Sequence, residues 1–217
     1  MSLTLYAHPF SSYSQKVLMA LWENDTPFAY RHMEETGAGD ELRARWPIGK
    51  FPLLVDGDCS ITETSIIIEH LDLHHRGAIR FLPDDPAAAL EVRLLDRIFD
   101  QHVMNAMQGA VNESLRKAPD RLDEAKSVAA KALETAYGWL DARIGGRAWA
   151  AGDAFSLADC AAAPALFYAD WVHPIGEAFP TLRAYRSRLL ERPSFARAVE
   201  EARRYRHYFP LGAPDRD

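Results

Sequence analysis

Residues 49–64, GKFPLLVDGDCSITET, decide how the first part of this 217-residue chain folds. Residues 53–56 and 59–62 are two short runs of strand-forming side chains, and Gly57 lies between them where a tight turn is needed. A β-hairpin is therefore predicted. Residues 63–75 follow with apolar side chains at Ile66, Ile67, Ile68 and Leu71, a spacing that predicts a helix directly after the second strand.

The residues before this hairpin add strands and helices of their own. Residues 3–7 are predicted to form a strand and residues 14–24 a helix. Residues 26–32 are a second strand candidate, and residues 40–46 supply a helical turn. The order βαβαββα predicts an α/β domain over residues 1–76, in which helices cover a mixed sheet.

Strand patterns almost disappear after residue 76. Residues 77–86 contain Gly77, Pro83 and Pro86 and are predicted to be a linker, after which residues 87–217 form an all-helical domain. The helices are predicted over residues 87–117, 122–144, 157 onward, 181–191 and 194–204. Ser156 and Asp159 have the spacing of a capping box, which predicts that the third helix begins at Leu157.

The composition favours a globular protein of two domains, with 48% hydrophobic and 26% charged residues. A net charge of −6 repels a phosphate backbone, so nucleic acid is not an expected partner. Cys59 and Cys160 form no Cys-x-x-Cys pair, so neither a disulfide framework nor a metal site is expected. The N-terminus lacks the features of a targeting segment, and no apolar run approaches the ~20 residues of a membrane span. We expect a soluble, cytoplasmic protein without a membrane partner.

Four hydroxyl groups are concentrated between the first strand and the first helix, at Ser11, Ser12, Tyr13 and Ser14. A helix N-terminus favours an anion, because its first N–H groups are unpaired and carry partial positive charge. A serine hydroxyl there can add one directed hydrogen bond to a thiolate or carboxylate. Serine is also a preferred N-cap residue, so this segment alone favours a structural capping role over catalysis.

Several segments resemble, in order, the serine-type glutathione S-transferases of the theta, phi and zeta kind. They are YAHPFS with KVLMAL (residues 6–11 and 16–21), GKFPLL (49–54), ITETSIIIEHL (61–71), and GDAFSLAD with ERPS (152–159 and 191–194). Phe51 stands where valine is usual in the family, and Thr64 where serine is usual. Each segment is a weak signal alone, but their order along nearly the whole chain is specific for the superfamily.

The resemblance implies a thioredoxin-like first domain that binds glutathione and a helical second domain that completes a pocket for an apolar electrophile. Ser11 matches the catalytic serine, which would stabilise the thiolate of glutathione. Ser12 and Tyr13 are further hydroxyls that could assist it. A protein cysteine is not required, and Ser11 and Ser12 stand where the cysteine-type relatives carry a reactive thiol, which disfavours mixed-disulfide chemistry.

The resemblance also implies which residues contact glutathione. Pro52 matches a cis-proline that lets Phe51 offer its backbone N–H and C=O to the cysteinyl part of the ligand, in the manner of an added strand. Glu63 and Thr64 begin a helix and match the residues that hold the γ-glutamyl amine and carboxylate. Lys50 is the candidate partner of the glycyl carboxylate.

The electrophile pocket and the assembly are inferred from the family as well. Phe10, Met104 and Met107 are candidate pocket residues, with core packing as the alternative role of the two methionines. A homodimer is expected, and a metal ion is not. Two other functions stay open: a maleylacetoacetate-isomerase-like enzyme, because Ser11-Ser12 resembles the Ser-Ser-Cys opening of that branch although Tyr13 replaces its cysteine, and a non-catalytic binding or interaction module.

Overall fold

The computed structural model of the protein describes residues 3–116 and 119–217. Its first half has the predicted order of strands and helices. They are β1 (Leu3–Ala7), α1 (Ser12–Glu23), β2 (Phe28–His32), α2 (Ala38–Arg45), β3 (Leu53–Asp56), β4 (Cys59–Ile61) and α3 (Thr64–His74).

The four strands form one mixed sheet in the order β2-β1-β3-β4. β1 is parallel to β2 and antiparallel to β3, and Leu5 of β1 lies directly opposite Leu54 of β3. Both leucines are fully buried, so the hydrophobic face of the sheet fixes the register of its centre. The predicted hairpin is present, with Gly57 at a φ of 58° in its turn, a conformation that glycine adopts at little cost. The α/β fold of the first half is confirmed.

The second half is helical in the described residues, as predicted. Its helices are α4 (Pro86–Ile98), a π-helical segment (Phe99–Met104), α5 (Asn105–Leu115), α6 (Pro119–Ile144), α7 (Leu157–Val172), α8 (Pro180–Leu190), α9 (Pro193–Ala202) and a final 3₁₀ turn (Arg203–Tyr208).

The sequence predicts one regular helix over residues 87–117, and the structure differs at its middle. Residues 99–104 adopt π-helical geometry, and the N–H of Asn105 reaches back five residues to the carbonyl of Asp100. A π segment adds one residue to a turn and rotates every side chain that follows it. Lys117, the predicted end of the helix, lies outside the described residues.

α7 is the centre of the second half, and all its residues from Leu157 to Asp170 are buried. It begins at the predicted residue. The fully buried Asp159 carboxylate accepts hydrogen bonds from the N–H and hydroxyl of Ser156, from the N–H of Ala150 and from the Tyr185 hydroxyl. Four donors compensate for the loss of water around one buried carboxylate.

The two halves share one large hydrophobic core, and a smaller cluster of Tyr6, Leu42, Leu53 and Val55 lies in the first half alone. α1 packs on α3 of its own half and on α7 and α9 of the other, and buried side chains of both halves form one cluster. Residues 75–85 connect α3 to α4, and the Asn24 side chain holds this connection through two hydrogen bonds to the backbone of Ile79. A Cβ at Gly77 would come within 2.4 Å of Asn24 atoms, so the close approach requires glycine. The exact division of the chain at residues 77–86 stays a prediction.

Candidate functional site

The loop between β1 and α1 is fixed by hydrogen bonds among its own residues. Ser11 is the N-cap of α1, and its Oγ accepts a hydrogen bond of 3.2 Å from the N–H of Ser14. The Ser11 N–H donates to the carbonyl of His8, while the His8 N–H donates to Oγ of Ser14. The position of the Ser11 hydroxyl is therefore set by the helix start itself.

Capping does not use the proton of the Ser11 hydroxyl. A hydroxyl has one proton and two lone pairs, and the cap occupies only a lone pair. The structural role and a donor role for Ser11, which the sequence sets as alternatives, are therefore compatible. The hydroxyl can donate to an anion while its oxygen continues to cap α1.

Side chains of α1 and α7 also hold this loop through hydrogen bonds. The Gln15 side chain donates to the carbonyl of Pro9 at 2.9 Å and to the Tyr168 hydroxyl at 3.1 Å. That hydroxyl in turn donates to the carbonyl of Phe10. The loop carrying Ser11 is thus supported by both halves of the chain.

Ser11 and Ser12 open into a cavity of about 400 Å³ that we call the apolar cavity. The described residues that line it are His8, Phe10, Ser11, Ser12, Tyr13, Phe51, Met107, Gln108, Val111, Leu115, Tyr168, Tyr208, Phe209 and Pro210. None of these is Lys, Arg, Asp or Glu. The composition of this wall suits an uncharged, apolar molecule.

A second cavity, of about 550 Å³, lies beside the first, and we call it the polar cavity. It is lined by Tyr13, Trp46, Lys50, Phe51, Pro52, Glu63, Thr64, Ser65, Ile66, Glu69, Arg93, Asp96, Arg97, Asp100, Gln101 and Asn105. All five residues that the resemblance assigns to glutathione are in this lining. Charges of both signs surround the polar cavity, which suits a zwitterionic ligand with carboxylates and an amine.

Tyr13 and Phe51 border both cavities. The Tyr13 hydroxyl donates a long hydrogen bond of 3.4 Å to Oδ1 of Asn105. Burial, with the nearby charge of Asp100, raises the pKa of Tyr13 to about 12. Its phenol is therefore a hydrogen-bond donor at neutral pH rather than a base. The two cavities therefore meet at these two side chains.

The backbone around the polar cavity has two special conformations. The Phe51–Pro52 peptide bond is cis, as the resemblance implies for this proline. Glu63 has a φ of 63°, a left-handed value that is uncommon for residues other than glycine. Residues other than glycine with a left-handed φ, such as Glu63, occur preferentially at ligand sites, where the surrounding structure maintains them. The exposed Glu63 carboxylate and the buried Thr64 then stand together at the first turn of α3.

A buried cluster of charges forms the floor of the polar cavity. The Lys16 ammonium group donates to Oδ1 of Asp96 at 2.5 Å, to Oδ2 of Asp100 at 2.8 Å and to Oγ of Ser65 at 3.1 Å. The Ser65 hydroxyl donates to the other oxygen of Asp96 at 2.7 Å. Lys16 and Asp96 are each only 1% exposed. Burial raises the pKa of Asp100, and the nearby Lys16 opposes this effect.

The structure separates the site residues predicted from sequence into two groups. Lys50, Phe51, Pro52, Glu63 and Thr64 surround the polar cavity. Phe10, Ser11, Ser12 and Met107 line the apolar cavity, whereas Tyr13 and Phe51 border both. Met104 lines neither; it is 2% exposed and packs in the core, so the core alternative applies to this methionine.

Sequence reasoning missed the polar side chains that the second half contributes. Arg97, Gln101 and Asn105 line the polar cavity from α4, the π segment and the start of α5. No local motif marks them, because their position depends on how α4 packs against α3. A wider hollow of about 1000 Å³ lies between β2 and α9, and it contains none of the predicted site residues.

Comparison with known proteins decides the family. The N-terminal domain profile of the glutathione S-transferases matches residues 5–78, and their C-terminal domain profile matches residues 98–193. The chain belongs to the glutathione S-transferase family. Glutathione S-transferase GstB of Escherichia coli K12 is 28% identical to it, over 91% of this chain and 97% of its own length.

Solved structures support the same assignment. A glutathione S-transferase of Methylobacillus flagellatus with glutathione bound has a TM-score of 0.78 and 25% identity, covering 91% of this chain and 98% of its own.

Sequence relatives with other names also match: FtsZ-localized protein A of Caulobacter vibrioides is 29% identical over 88% of each chain. A probable maleylacetoacetate isomerase of Vibrio cholerae is 27% identical over 93% of this chain and 97% of its own length. Because these relatives have different names, the geometry of the site is needed to choose among their functions.

No helix in residues 3–116 or 119–217 has the length and apolar character needed to cross a bilayer.

The Lys16 cluster gives the first testable prediction. Lys16→Met should lower the free energy of unfolding by about 3–5 kcal/mol near neutral pH, because it leaves two buried carboxylates without their cation. The folded-state pKa of Asp100 is already raised, so its ionised form opposes folding, and stability is lost as pH rises through that pKa. The deficit should therefore shrink as the pH is lowered and Asp100 becomes protonated, as measured by urea unfolding at a series of pH values.

A matched variant separates charge from packing. Combining Lys16→Met with Asp96→Asn and Asp100→Asn removes all three charges and should recover part of the lost stability. Equal losses in the single and triple variants, with no dependence on pH, would mean that Lys16 contributes packing alone.

Proposed function

We propose that this protein is a glutathione transferase in which glutathione occupies the polar cavity and an apolar electrophile occupies the apolar cavity. The observation that carries the proposal is the shared border of the two cavities, beside which the Ser11 hydroxyl is held by the start of α1. The glutathione thiol, passing Tyr13 and Phe51, would meet both the hydroxyl and the electrophile there.

The lining of the polar cavity supports a specific orientation of glutathione. The γ-glutamyl end lies at the first turn of α3, where backbone N–H groups and the Thr64 hydroxyl face its carboxylate and Glu63 receives its amine. The cysteinyl backbone pairs with Phe51 beside the cis peptide bond. Lys50, which is exposed, receives the glycyl carboxylate.

Activation of the thiol requires only modest energy. A free thiol has a pKa of about 8.5, and lowering it by about two units requires roughly 2.7 kcal/mol of preferential stabilisation of the thiolate. One hydrogen bond to a charged group contributes about 1.5–3 kcal/mol, and the partial charge at the N-terminus of α1 adds to it. Ser11 and the helix start are therefore sufficient, without a metal or a protein thiol.

The apolar cavity also weighs against the isomerase alternative. Ser11 and Ser12 both line it, which keeps the resemblance to maleylacetoacetate isomerases relevant. Maleylacetoacetate carries two carboxylates, however, and none of the described lining residues is a lysine or arginine that would pair with them. Turnover of maleylacetoacetate by the purified protein would favour the isomerase over the transferase.

A non-catalytic interaction module is the second alternative, and the relative named FtsZ-localized protein A is the observation that favours it. The retained site argues against it, because a pure binding module has no need for a donor hydroxyl beside an apolar cavity.

We place the transferase in the cytoplasm, where a reducing environment suits the unpaired, exposed Cys59.

We also propose that the transferase is a homodimer. Ile66 and Leu73 lie seven residues apart on α3, and Leu90 and Leu94 four apart on α4, and all four are exposed. A bidentate salt bridge from Arg93 to Glu69 joins these two helix faces into one surface. A second copy of the chain, related by a two-fold axis, would cover this apolar surface.

Ser11→Ala tests the catalytic assignment. The wild-type protein should conjugate glutathione to an aryl halide, and the variant should lose about ten- to a thousandfold in kcat while retaining its affinity for glutathione. The pKa of the bound thiol, measured from thiolate absorbance, should return toward about 8.5. Ser11→Gly removes the same hydroxyl but costs the helix cap only a few tenths of a kcal/mol, so it separates catalysis from folding.

Two controls identify the hydroxyl. Ser12→Ala and Tyr13→Phe should retain both the rate and the thiol pKa. If one of them loses both while Ser11→Ala does not, the activating hydroxyl belongs to that residue. If none of the three matters, the helix terminus and backbone alone activate the thiol.

Glu63→Gln should raise the KM for glutathione by about tenfold or more with little change in kcat, because its carboxylate contacts the γ-glutamyl amine far from sulfur. Steady-state kinetics at varied glutathione concentration give the two constants. Glu69→Gln is the matched control, since that carboxylate lines the same cavity but is held by Arg93. A folded Glu63→Gln protein with an unchanged KM would show that the γ-glutamyl end binds elsewhere.

Leu90→Glu should dissociate the dimer to the monomer mass of 24.4 kDa, because it places a charge in the apolar surface between the copies. Light scattering at micromolar concentration measures the mass. Val128→Glu alters an equally exposed apolar side chain on α6 and should leave the dimer intact. A wild-type protein that is already monomeric contradicts the proposal.

A further inference from the structure

Two histidines and an aspartate converge where the end of β3 meets the end of α3. The Nε2–H groups of His70 and His75 both donate to Oδ2 of Asp56, at 2.9 and 2.7 Å. The three candidate ligand atoms lie within 4.8 Å of one another, and the side chains are 14–26% exposed. The hydrogen bonds from His75 and His70 hold the pKa of Asp56 below its ordinary value, so this carboxylate is ionised.

The spacing of these atoms suits a metal ion. Zinc binds histidine nitrogen and carboxylate oxygen at about 2.0–2.2 Å, so adjacent ligands in a tetrahedral site are roughly 3.3 Å apart. The two Nε2 atoms lie 2.9 and 2.7 Å from Oδ2 of Asp56, and no two of the three ligand atoms are more than 4.8 Å apart. These distances lie on either side of roughly 3.3 Å. Small side-chain adjustments would therefore admit an ion.

Both imidazoles are free to change tautomer. Among the described residues, neither His70 nor His75 has a hydrogen bond at Nδ1, so the ring proton can reside there while Nε2 binds a metal. The ion would replace two hydrogen bonds to Asp56 with three metal bonds, and the rings would remain neutral.

A second cluster, His8, His32 and Glu34, has similar spacing but not this freedom. The backbone N–H of Phe10 donates to Nδ1 of His8, and that of Glu34 donates to Nδ1 of His32. With Nδ1 acting as acceptor, the single proton of each neutral ring must be on Nε2, which then cannot bind a metal. The comparison selects the first cluster.

We propose that Asp56, His70 and His75 bind one divalent transition-metal ion of the zinc class, through the aspartate oxygen and the two Nε2 atoms. Two imidazoles and a carboxylate are a ligand set that such ions prefer, and the remaining coordination position is open to solvent. Because cations are favoured at a helix C-terminus, the end of α3 adds to the attraction.

The ion would stabilise the fold rather than take part in glutathione chemistry. His70 and His75 are six and eleven residues from Thr64, and a helix rises about 1.5 Å per residue, so these two ligands lie roughly 9–16 Å along α3 from the proposed γ-glutamyl site. It would join the end of β3 to the end of α3 and thereby resist unfolding of the first half.

The test uses the full chain without a polyhistidine tag, dialysed against a chelator and titrated with ZnCl₂ in a calorimeter. We expect one zinc ion per chain and an unfolding midpoint that rises with zinc concentration. His70→Gln and His75→Gln should each weaken zinc binding by more than about a hundredfold. Loss of a residue that only hydrogen-bonds to a metal ligand weakens binding by about 10–100-fold, so a larger effect identifies a ligand. Asp56→Asn should weaken it likewise.

His32→Gln and His102→Gln are the controls, since the first alters the rejected cluster and the second an exposed imidazole remote from both. Both should bind zinc like the wild-type protein. Circular dichroism without metal establishes that each variant is folded. The proposal is overturned if the wild-type chain binds no stoichiometric zinc, if the folded ligand variants bind it unchanged, or if His32→Gln abolishes binding instead.

Discussion

The buried contact of Lys16 with Asp96 and Asp100 sets the relative position of the two halves of the molecule. The lysine lies on α1, and its partners lie on α4 and the π segment that follows. An uncompensated charge in the interior costs several kcal/mol, so neither the cation nor the carboxylates can be buried without the other. α1 and α4 therefore pack in the arrangement that brings all three groups together, and hydrophobic contacts alone would tolerate more sliding.

Ser65 extends this constraint to the polar cavity, where glutathione is proposed to bind. Its hydroxyl lies between the Lys16 ammonium and the Asp96 carboxylate, which holds the first turn of α3 against the second half. Thr64 and the left-handed Glu63 directly precede it. A non-glycine residue keeps such a φ only where the surrounding structure maintains it, and the hydrogen bonds of Ser65 to the charge cluster fix the turn that follows Glu63. Interdomain packing and ligand-site geometry thus depend on the same four side chains.

The fold could be predicted from sequence because its signals are local: the Gly57 turn, the capping spacing of Ser156 and Asp159, and the apolar periodicity of each helix. Contacts between residues far apart in sequence could not. Nothing in the sequence pairs Lys16 with residues 80 and 84 positions away, or Asp56 with one histidine on α3 and one directly after it. Met104 and Met107 have the spacing of neighbours on one α-helical face, but residues 99–104 are π-helical, and the two methionines have different surroundings.

The two cavities take much of their walls from different parts of the chain. The residues proposed to bind glutathione all come from the first half of the chain, directly before β3 and at the start of α3. Met107, Val111 and Phe209 of the apolar cavity come from α5 and the C-terminal segment. Substitutions in that wall alter the shape offered to an electrophile without touching Ser11, whose hydroxyl is held by the backbone of α1. In the proposed transferase, thiol activation and electrophile selection are therefore separable, because substitutions in that wall can change substrate preference while the start of α1 is kept.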